Sequence, residues 1–469
     1  MTDTAASFLA KSTIKAVDIE HRRKINFNIS RYNKSVPAGK LQFQDINLAR
    51  ERAKNVKWRA IETLDERLEE FEAAFTKRGG KVLWAENTQQ ALDEILKICK
   101  QKGCKTIVKS KSMVTEEIKL NSFLQKHDIE SVETDLGEYI QQLDGEAPYH
   151  IVTPAMHKSK EDIAKLFHEK LHTAPHLTPE QMTAVARENL RQKYVDAEIG
   201  ITGANFILAD VGAIAISENE GNARLSAAWP KTHIVVVGIE KVISSLTDLG
   251  LFWPLLSTFG TGQNVTVYNT IITGPRQARE TDGPEEMVVI LLDNGRTNIL
   301  ANPKARESLY CIRCGACLNA CPVYKNIGGH AYGTTYSGPI GAVITPHLNG
   351  MDEWKHLSNA SSLCGNCTEV CAVKINLHAL LLDNRNEAVE SGYSSLGERI
   401  AWKVWRRACL SRSLMNKGSS KAKNWAVNNM YKGWTAHRAP LQFAVKTFNE
   451  QWKERSREPG VMIKSGVGN

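Results

Sequence analysis

The sequence predicts an α/β domain with a largely parallel sheet, followed by a smaller helical domain organised by closely spaced cysteines. Two observations lead to this prediction. Between residues 71 and 300, short apolar runs rich in Val and Ile alternate with helical patterns, as in parallel α/β folds. After residue 300, seven of the ten cysteines fall in two short runs, 311–321 and 364–371.

The chain has 469 residues and is therefore long enough for several domains. From Ala49 to Leu68, apolar residues recur at helical spacing and charges of both signs cover the other face. We predict four regions: a helical N-terminal extension (1–70), the α/β domain (71–300), the cysteine-bearing domain (301–390) and a basic, Trp-rich helical C-terminal region (391–469).

The α/β prediction depends on a few apolar runs that alternate with helices. Such alternation indicates a largely parallel sheet. Cys99 and Cys104 flank one turn of this domain without partners at ligand spacing, so we expect them to be buried small apolar residues. The predicted strands are 80–85, 105–109, 204–209, 212–217, 233–238 and 288–295.

Two polar segments, 200–205 and 217–224, lie at the ends of predicted strands of this domain. The carboxyl edge of a parallel sheet is where such folds bind ligands. Gly and Asn also form ordinary turns, and that alternative stays open. The residues that we predict for a ligand site are Gly203, Asn205, Glu220, Asn222 and Arg224.

The first cysteine run, followed by Pro322, has the C-x2-C-x2-C-x3-C-P spacing of two-cluster ferredoxins. In such proteins the first three thiolates hold one iron–sulfur cluster and the fourth crosses to the other. The second run has the same spacing except that Ser361 stands where the first cysteine is expected. A disulfide framework or a zinc site fits this spacing poorly.

The crossing rule divides the seven cysteines between two iron–sulfur clusters. Three thiolates imply a 3Fe–4S centre, or a 4Fe–4S centre with a ligand other than cysteine, for which Ser361 is the nearest candidate. The predicted sets are Cys311, Cys314, Cys317 and Cys371 for the first cluster, and Cys321, Cys364 and Cys367 for the second.

The net charge of +9 is concentrated at one end of the chain. Residues 391–469 contain 15 Lys or Arg against 4 Glu, and they carry five of the ten tryptophans. Such a region suits an anionic membrane surface, an acidic partner or nucleic acid, or it is a solvated helical face with Trp packed inward. The tail tryptophans are Trp402, Trp405, Trp425, Trp434 and Trp452.

No apolar run of about 18 residues is present, and the N-terminus lacks the pattern of a secretory signal. We therefore expect a cytoplasmic protein, with peripheral contact at the inner face of the membrane through the basic tail. No helix-turn-helix pattern is visible, so we expect no nucleic-acid partner.

Taken together, the motifs resemble the LutB-type iron–sulfur proteins of bacterial L-lactate utilisation. The resemblance implies a LUD domain, similar to the phosphosugar isomerase and coenzyme A transferase fold, before a two-cluster 4Fe–4S ferredoxin-like module. It also implies two companion subunits, a cysteine-rich protein and a second LUD-domain protein, and it matches the family's cluster ligands to the seven cysteines. The segments that carry the likeness are 201–205, 220–224, 273–276, 311–322, 328–332 and 363–367.

The resemblance leads to a functional hypothesis: an electron-transfer subunit of a complex that oxidises L-lactate to pyruvate and allows growth on lactate. No G-x-G-x-x-G dinucleotide fingerprint is present, so this chain alone does not explain what takes the hydride. One alternative is a coenzyme A transferase-like or other small-acid enzyme, with Glu218 as its nucleophile. Another is an iron–sulfur sensor that uses the basic tail.

Overall fold

The computed structural model describes residues 2–430 and 439–455. They belong to two compact units, 1–391 and 392–469, which are considered separately. Of the predicted tail tryptophans, Trp434 lies outside the described residues. Within the described ranges, no helix is both long enough and apolar enough to cross a bilayer.

The N-terminal segment is helical, as its apolar spacing predicts. Side chains of Thr2, Asp18 and Asp45 cap the first three helices by accepting hydrogen bonds from backbone N–H groups of the first turn. In the fourth helix the buried residues follow helical spacing and include Phe71 and Phe75, whose rings stack. These helices are α1 (Asp3–Val17), α2 (Ile19–Lys40), α3 (Ile46–Glu62) and α4 (Leu64–Thr76).

Ten strands follow in the described part of the chain and form two sheets. They are β1 (Lys81–Ala85), β2 (Thr106–Lys109), β3 (Glu130–Glu133), β4 (Ile199–Thr202), β5 (Phe206–Leu208), β6 (Ala213–Glu218), β7 (Thr232–Gly238), β8 (Val242–Ile243), β9 (Tyr268–Ile272) and β10 (Glu286–Leu292). The larger sheet is parallel throughout, in the order β1-β10-β7-β4-β2-β3. Its middle strand β7 is buried along its whole length, as expected for a parallel sheet covered on both faces. The prediction of an α/β fold is confirmed.

Helices connect these strands and cover the sheet. Cys99 lies in α5 (Thr88–Gln101) and Cys104 comes shortly after this helix. Both are buried in the same apolar cluster, as expected of small apolar residues. The connecting helices are α5 (Thr88–Gln101), α6 (Met113–Glu117), α7 (Leu120–Gln125), α8 (Leu136–Asp144), α9 (Lys160–Leu171), α10 (Pro179–Asp196), α11 (Asn222–Ala228), α12 (Leu249–Thr261) and α13 (Arg296–Ala301).

Two predicted strands, 204–209 and 212–217, do not belong to the parallel sheet, so that part of the prediction was wrong. They become β5 and β6, which pair antiparallel in a separate sheet of order β8-β5-β6-β9. The reason is the short connection between them, which turns at Gly212 with a φ of 56°. Antiparallel strands can be joined by so short a turn, whereas a parallel pair needs a crossover of about a dozen residues or more.

The cysteine-bearing segment consists of short helices packed against the N-terminal helices. It comprises α14 (Ala316–Ala320), α15 (Pro322–Ile327), α16 (Gly338–Asn349), α17 (Met351–Trp354), α18 (Asn366–Glu369) and α19 (Leu377–Glu390). Both α1 and α2 contact α15, and α2 also contacts α12. One continuous hydrophobic core extends from Phe71 through the second sheet to Tyr324. The cysteine-bearing segment is therefore held firmly against the α/β domain.

The second unit contains α20 (Leu396–Cys409), α21 (Arg412–Asn416), α22 (Ser420–Met430) and a further helix, Phe448–Arg455. In α20, Arg399, Lys403 and Arg406 are spaced three and four residues apart and so share a face. The apolar Ile400 and Val404 lie on another face and are exposed. This helix is therefore amphipathic and basic.

Candidate iron–sulfur sites and the adjoining cavity

The first cysteine run and the last cysteine of the second run meet at one place. A small, mainly apolar cavity is lined by Cys311, Cys314, Cys317 and Cys371. Cys317 and Cys371 are buried, and Cys311 and Cys314 are half-buried. This is the set that the crossing rule predicts for the first cluster; its role as a ligand set stays a prediction.

The chemistry of this set suits an iron–sulfur cluster. Burial, followed by repulsion from neighbouring sulfur atoms, raises the pKa of the Cys314 and Cys371 thiols to about 12. Converging thiolates therefore need compensating positive charge, which iron supplies. The backbone N–H groups of Arg313 and Ile375 donate to the sulfur atoms of Cys311 and Cys371, at N···S distances of 3.4 and 3.3 Å. Hydrogen bonds to sulfur are one of the factors that set a cluster's reduction potential.

The remaining three cysteines form a second group, closer to solvent. Helix α14 packs against α18, and the Asn366 side chain donates to the Ala320 carbonyl at 3.2 Å. Burial, followed by the charge of Cys321, raises the pKa of Cys367 to about 11. Cys321 and Cys367 are buried, whereas Cys364 is exposed. The second predicted site therefore opens to the surface at Cys364.

The two cysteine loops have the same backbone conformation despite the missing cysteine. Arg313 and Leu363, which precede the second cysteine position of each motif, are left-handed with φ of 60° and 53°. Gly315 and Gly365, which follow it, have φ of 79° and 80°. Ser361 occupies the remaining position, and its Oγ accepts a hydrogen bond from the Leu363 N–H at 3.1 Å. The loop thus keeps its shape without a first cysteine.

A larger cavity, of about 250 Å³, lies between the α/β domain and the first cysteine loop. Its lining includes four of the five residues predicted for a ligand site: Gly203, Asn205, Glu220 and Asn222. Arg224 is not among the lining residues. Arg313 and Cys314 of the cysteine loop line the same cavity. The predicted ligand site and the first predicted cluster site are therefore neighbours.

Several polar side chains around this cavity are occupied by contacts within the protein. The Asn205 Oδ1 accepts a hydrogen bond from the Ser217 N–H at 2.8 Å, and Glu220 accepts one from the Leu136 N–H at 3.1 Å. Both carboxylate oxygens of Glu218 accept from backbone N–H groups at the start of α11, at 2.6 and 2.8 Å. These residues shape the cavity, and their own hydrogen-bonding capacity is already partly used.

Sequence reasoning missed two cations of this cavity, Lys241 and Arg313. Burial, followed by the nearby charge of Arg313, lowers the pKa of Lys241 to about 8. The sequence did contain a sign of Lys241: Glu240 and Lys241 come two and three residues after the end of the apolar strand β7, at the carboxyl edge of the sheet, where such folds bind ligands. Arg313 stands between Cys311 and Cys314, at a position that the cysteine spacing leaves unspecified.

Beneath these cations lies a buried charge network. Arg296 donates to Glu240 at 2.5 Å and to Glu117 at 2.8 and 3.0 Å. Tyr336 donates its hydroxyl to Glu117 at 2.6 Å, and its ring lies 4.5 Å from the Arg313 guanidinium. Although burial alone would raise the pKa of Glu240, the charges of Arg296, Lys241 and Arg313 lower it to about 2. The network fixes the residues between the sheet and the cysteine loop.

Comparison with known families agrees with the two-part architecture. The family described as LUD domain matches residues 68–292, and the family described as 4Fe-4S dicluster domain matches residues 307–375. Iron–sulfur clusters are therefore the cofactors of the cysteine-bearing segment. A solved structure of a DUF162 family protein from Deinococcus radiodurans covers 49% of this chain and 98% of its own, with 12% identity and a TM-score of 0.29.

Curated relatives extend the similarity over most of the chain. Lactate utilization protein B of Bacillus velezensis is 43% identical over 88% of this chain and 89% of its own length. The protein of that name from Anoxybacillus flavithermus is 45% identical over 89% of this chain and 93% of its own. Lactate utilization protein B of Bacillus subtilis is 46% identical over 79% of this chain and 78% of its own length. With this identity and coverage, the chain belongs to the lactate utilization protein B family.

Proposed function

We propose that this chain is the iron–sulfur electron-transfer subunit of a complex that oxidises L-lactate to pyruvate. The oxidation releases two electrons and two protons per lactate. Two iron–sulfur clusters, each a one-electron carrier when bound, provide the capacity for both electrons. Cys311, Cys314, Cys317 and Cys371 would hold the first cluster, and Cys321, Cys364 and Cys367 the second.

The observation that carries the proposal is the shared wall between the 250 Å³ cavity and the first cysteine loop. Helix α12 approaches this loop so closely that a Cβ added at Gly260 would lie 3.1 Å from the carbonyl oxygen of Cys314. A small molecule in the cavity would therefore be separated from the first cluster site by side chains of the cysteine loop itself. Such proximity is what short-range electron transfer requires.

The exposed position of Cys364 supports an exit for electrons at the second site. A partner that docks over the loop containing Cys364 and Gly365 would come close to this cluster. We propose that the companions are a cysteine-rich protein and a second LUD-domain protein. In this arrangement electrons would enter beside the cavity and leave at the exposed end of the module.

We further propose that α20 holds the complex at the inner face of the membrane. Its exposed Ile400 and Val404 would insert among lipid chains while Arg399, Lys403 and Arg406 contact anionic headgroups. Cosedimentation of the full chain with phosphatidylglycerol vesicles, compared with phosphatidylcholine vesicles, tests this contact. We expect binding to the anionic vesicles that weakens with salt, and equal recovery with both vesicle types would refute it.

The electron-transfer role is tested by anaerobic electron paramagnetic resonance before and after addition of L-lactate. The full chain is measured alone and with its candidate companion proteins, and iron and sulfide are quantified in the same samples. We expect cluster reduction by lactate when the companions are present. If the clusters stay oxidised with lactate and both companions, although dithionite reduces them, the proposed role is refuted.

The alternative of a coenzyme A transferase-like enzyme receives no support from the geometry of Glu218. A nucleophilic carboxylate needs a free oxygen that faces the substrate. Both Glu218 oxygens instead accept backbone hydrogen bonds from Ala223 and Arg224 and cap α11. A coenzyme A transfer assay with a Glu218→Ala control would detect such an activity.

A further inference from the structure

We infer that the cavity beside Cys314 binds the carboxylate of a small 2-hydroxy or 2-oxo acid, through the ammonium group of Lys241 and the guanidinium group of Arg313. The choice of acid rests on the proposed function, but the anion site itself rests on geometry. The acid would thus be bound by this chain itself, whereas the proposed function requires only that electrons pass through this chain.

Lys241 is the first reason for an anion site. Lys241 is only 8% exposed. Among residues 2–430 and 439–455, its ammonium group has no hydrogen-bond or ion-pair partner. The neighbouring Lys57 is also buried, but its ammonium group donates to the carbonyl oxygens of Glu240 and Val242, at 2.5 and 3.0 Å. The Lys241 side chain is thus mostly buried while its ammonium group reaches the cavity without a protein partner, and an anion in the cavity would compensate its charge.

Arg313 is the second reason. Its Nη1 is buried without a hydrogen-bond partner, and its Nη2 lies 3.6 Å from Glu240, beyond hydrogen-bond distance. The Tyr336 ring stacks on the guanidinium group and holds it at the cavity wall. A planar guanidinium group with free donors matches the geometry of a carboxylate. The two cations therefore converge on the same space from the α/β domain and from the cysteine loop.

Arg313 forms an ion pair with Glu240 at 3.6 Å, but that carboxylate also accepts a hydrogen bond from Arg296, and the acidic residues that line the cavity pair with neither Lys241 nor Arg313. Asp135 lies 3.7 Å from Lys111, whose ammonium group also donates to a backbone carbonyl at 2.9 Å. Glu218 caps α11, and Glu220 is exposed and accepts a backbone hydrogen bond. The buried end of the cavity is thus cationic and its open end acidic. This polarity favours a small monoanion whose carboxylate enters first.

The size of the cavity limits the ligand. A volume of about 250 Å³ is below the roughly 300–1,000 Å³ of sites for drug-sized molecules, so an acid of a few carbon atoms fits best. Ser110, Ser112 and Ser257 also line the cavity; the Ser112 and Ser257 hydroxyl groups already bond the Thr115 N–H and the Trp253 carbonyl, so Ser110 is the partner offered to the hydroxyl or oxo group of the acid. The site therefore combines a carboxylate anchor with polar groups for the adjacent carbon.

The test is anaerobic calorimetry with the full, cluster-loaded chain in its oxidised state and without companions. The probes are L-lactate, pyruvate and oxamate, with lactamide as the neutral counterpart of lactate. We expect saturable binding of at least one acid and none of lactamide. Lys241→Met and Arg313→Lys should each weaken binding about 10- to 100-fold, the loss expected for one charge-assisted hydrogen bond. Lys165→Met, at an exposed position on α9, is the matched control.

The Tm of the variant separates a lost site from a damaged fold. Lys241→Met removes an unpaired buried charge, so its Tm should equal or exceed that of the unmodified chain. Binding of no acid, or equal binding by the Lys241→Met variant, overturns the inference. The outcome is independent of the proposed function: companions and lactate could still reduce the clusters if no acid binds here, and an acid could bind although reduction fails.

Discussion

Replacing Glu240 with Gln tests whether the buried charge network holds the sheet against the cysteine loop. The Glu240 side chain is 2% exposed and accepts a hydrogen bond from Arg296, which is 1% exposed. The substitution keeps the size of the side chain and removes its charge. Arg296 retains Glu117, but Lys241 and Arg313 lose the favourable charge of Glu240, which raises the pKa of both groups.

The magnitude follows from the pKa of Glu240. Its fall from 4.5 to about 2 corresponds to about 3 kcal/mol of stabilisation of the ionised carboxylate at neutral pH. In other proteins, removal of one partner of a buried ion pair lowers the free energy of unfolding by a similar amount, about 3–5 kcal/mol. Because the folded-state pKa is the lower one, this stability is present above about pH 4.5 and is lost as the pH falls toward 2.

The assay is thermal unfolding of the cluster-loaded chain under anaerobic conditions, followed by circular dichroism. We expect the Glu240→Gln variant to lose several degrees in Tm at pH 7 and to show a weaker loss of stability below pH 4.5. The control is Glu130→Gln, because Glu130 forms an ion pair with Lys193 at 2.6 Å in which both side chains are at least 40% exposed. An exposed pair contributes about 0–1 kcal/mol. Equal Tm values for the two variants would contradict the role of burial.

Three further predictions concern the cluster sites and Glu138, a buried residue whose carboxylate lies 3.8 Å from the ammonium group of the buried Lys109. Cys371→Ser should remove the signal of the same cluster as Cys311→Ser and leave the other; loss of the other cluster's signal would disprove the crossing. Ser361→Cys should complete the four-cysteine spacing and shift the second cluster's resonance spectrum toward that of an all-cysteine 4Fe–4S centre, and an unchanged spectrum would exclude this position as a ligand site. Burial, followed by the charge of Glu133, raises the pKa of Glu138 well above its usual value, so the folded state loses stability as the pH rises above 4.5. Glu138→Gln should therefore raise Tm at pH 8 but not at pH 4, and a lower Tm at pH 8 would contradict this explanation.

The cysteine spacing was the most informative part of the sequence, because the ligands of a cluster must come from short, specific intervals. Local spacing alone predicted a two-cluster iron–sulfur module, and the match to the 4Fe-4S dicluster family confirms it. The left-handed φ values at Gly315 and Gly365 are also local in origin, since each glycine follows a cysteine in a tight loop. Period and composition likewise predicted the α/β class.

The assignment of strands to sheets was less predictable. An apolar run of four to eight residues looks the same whether its neighbour is parallel or antiparallel. The short connection through Gly212 carried the decisive information, because it is too short for a crossover. The length of this connection therefore distinguishes the antiparallel pairing of 204–209 and 212–217 from a parallel one.

What the sequence by itself determined about this protein is the part that depends on neighbours in the chain: the cysteine loops, the helix caps and the alternation of strands with helices. Only the tertiary structure decided that Lys241 and Arg313, 72 positions apart in the chain, line one cavity. It also decided that Lys241 lacks the partners that Lys57 finds nearby. The physical reason is that burial and charge pairing depend on residues from distant segments, and no local pattern encodes which of them meet.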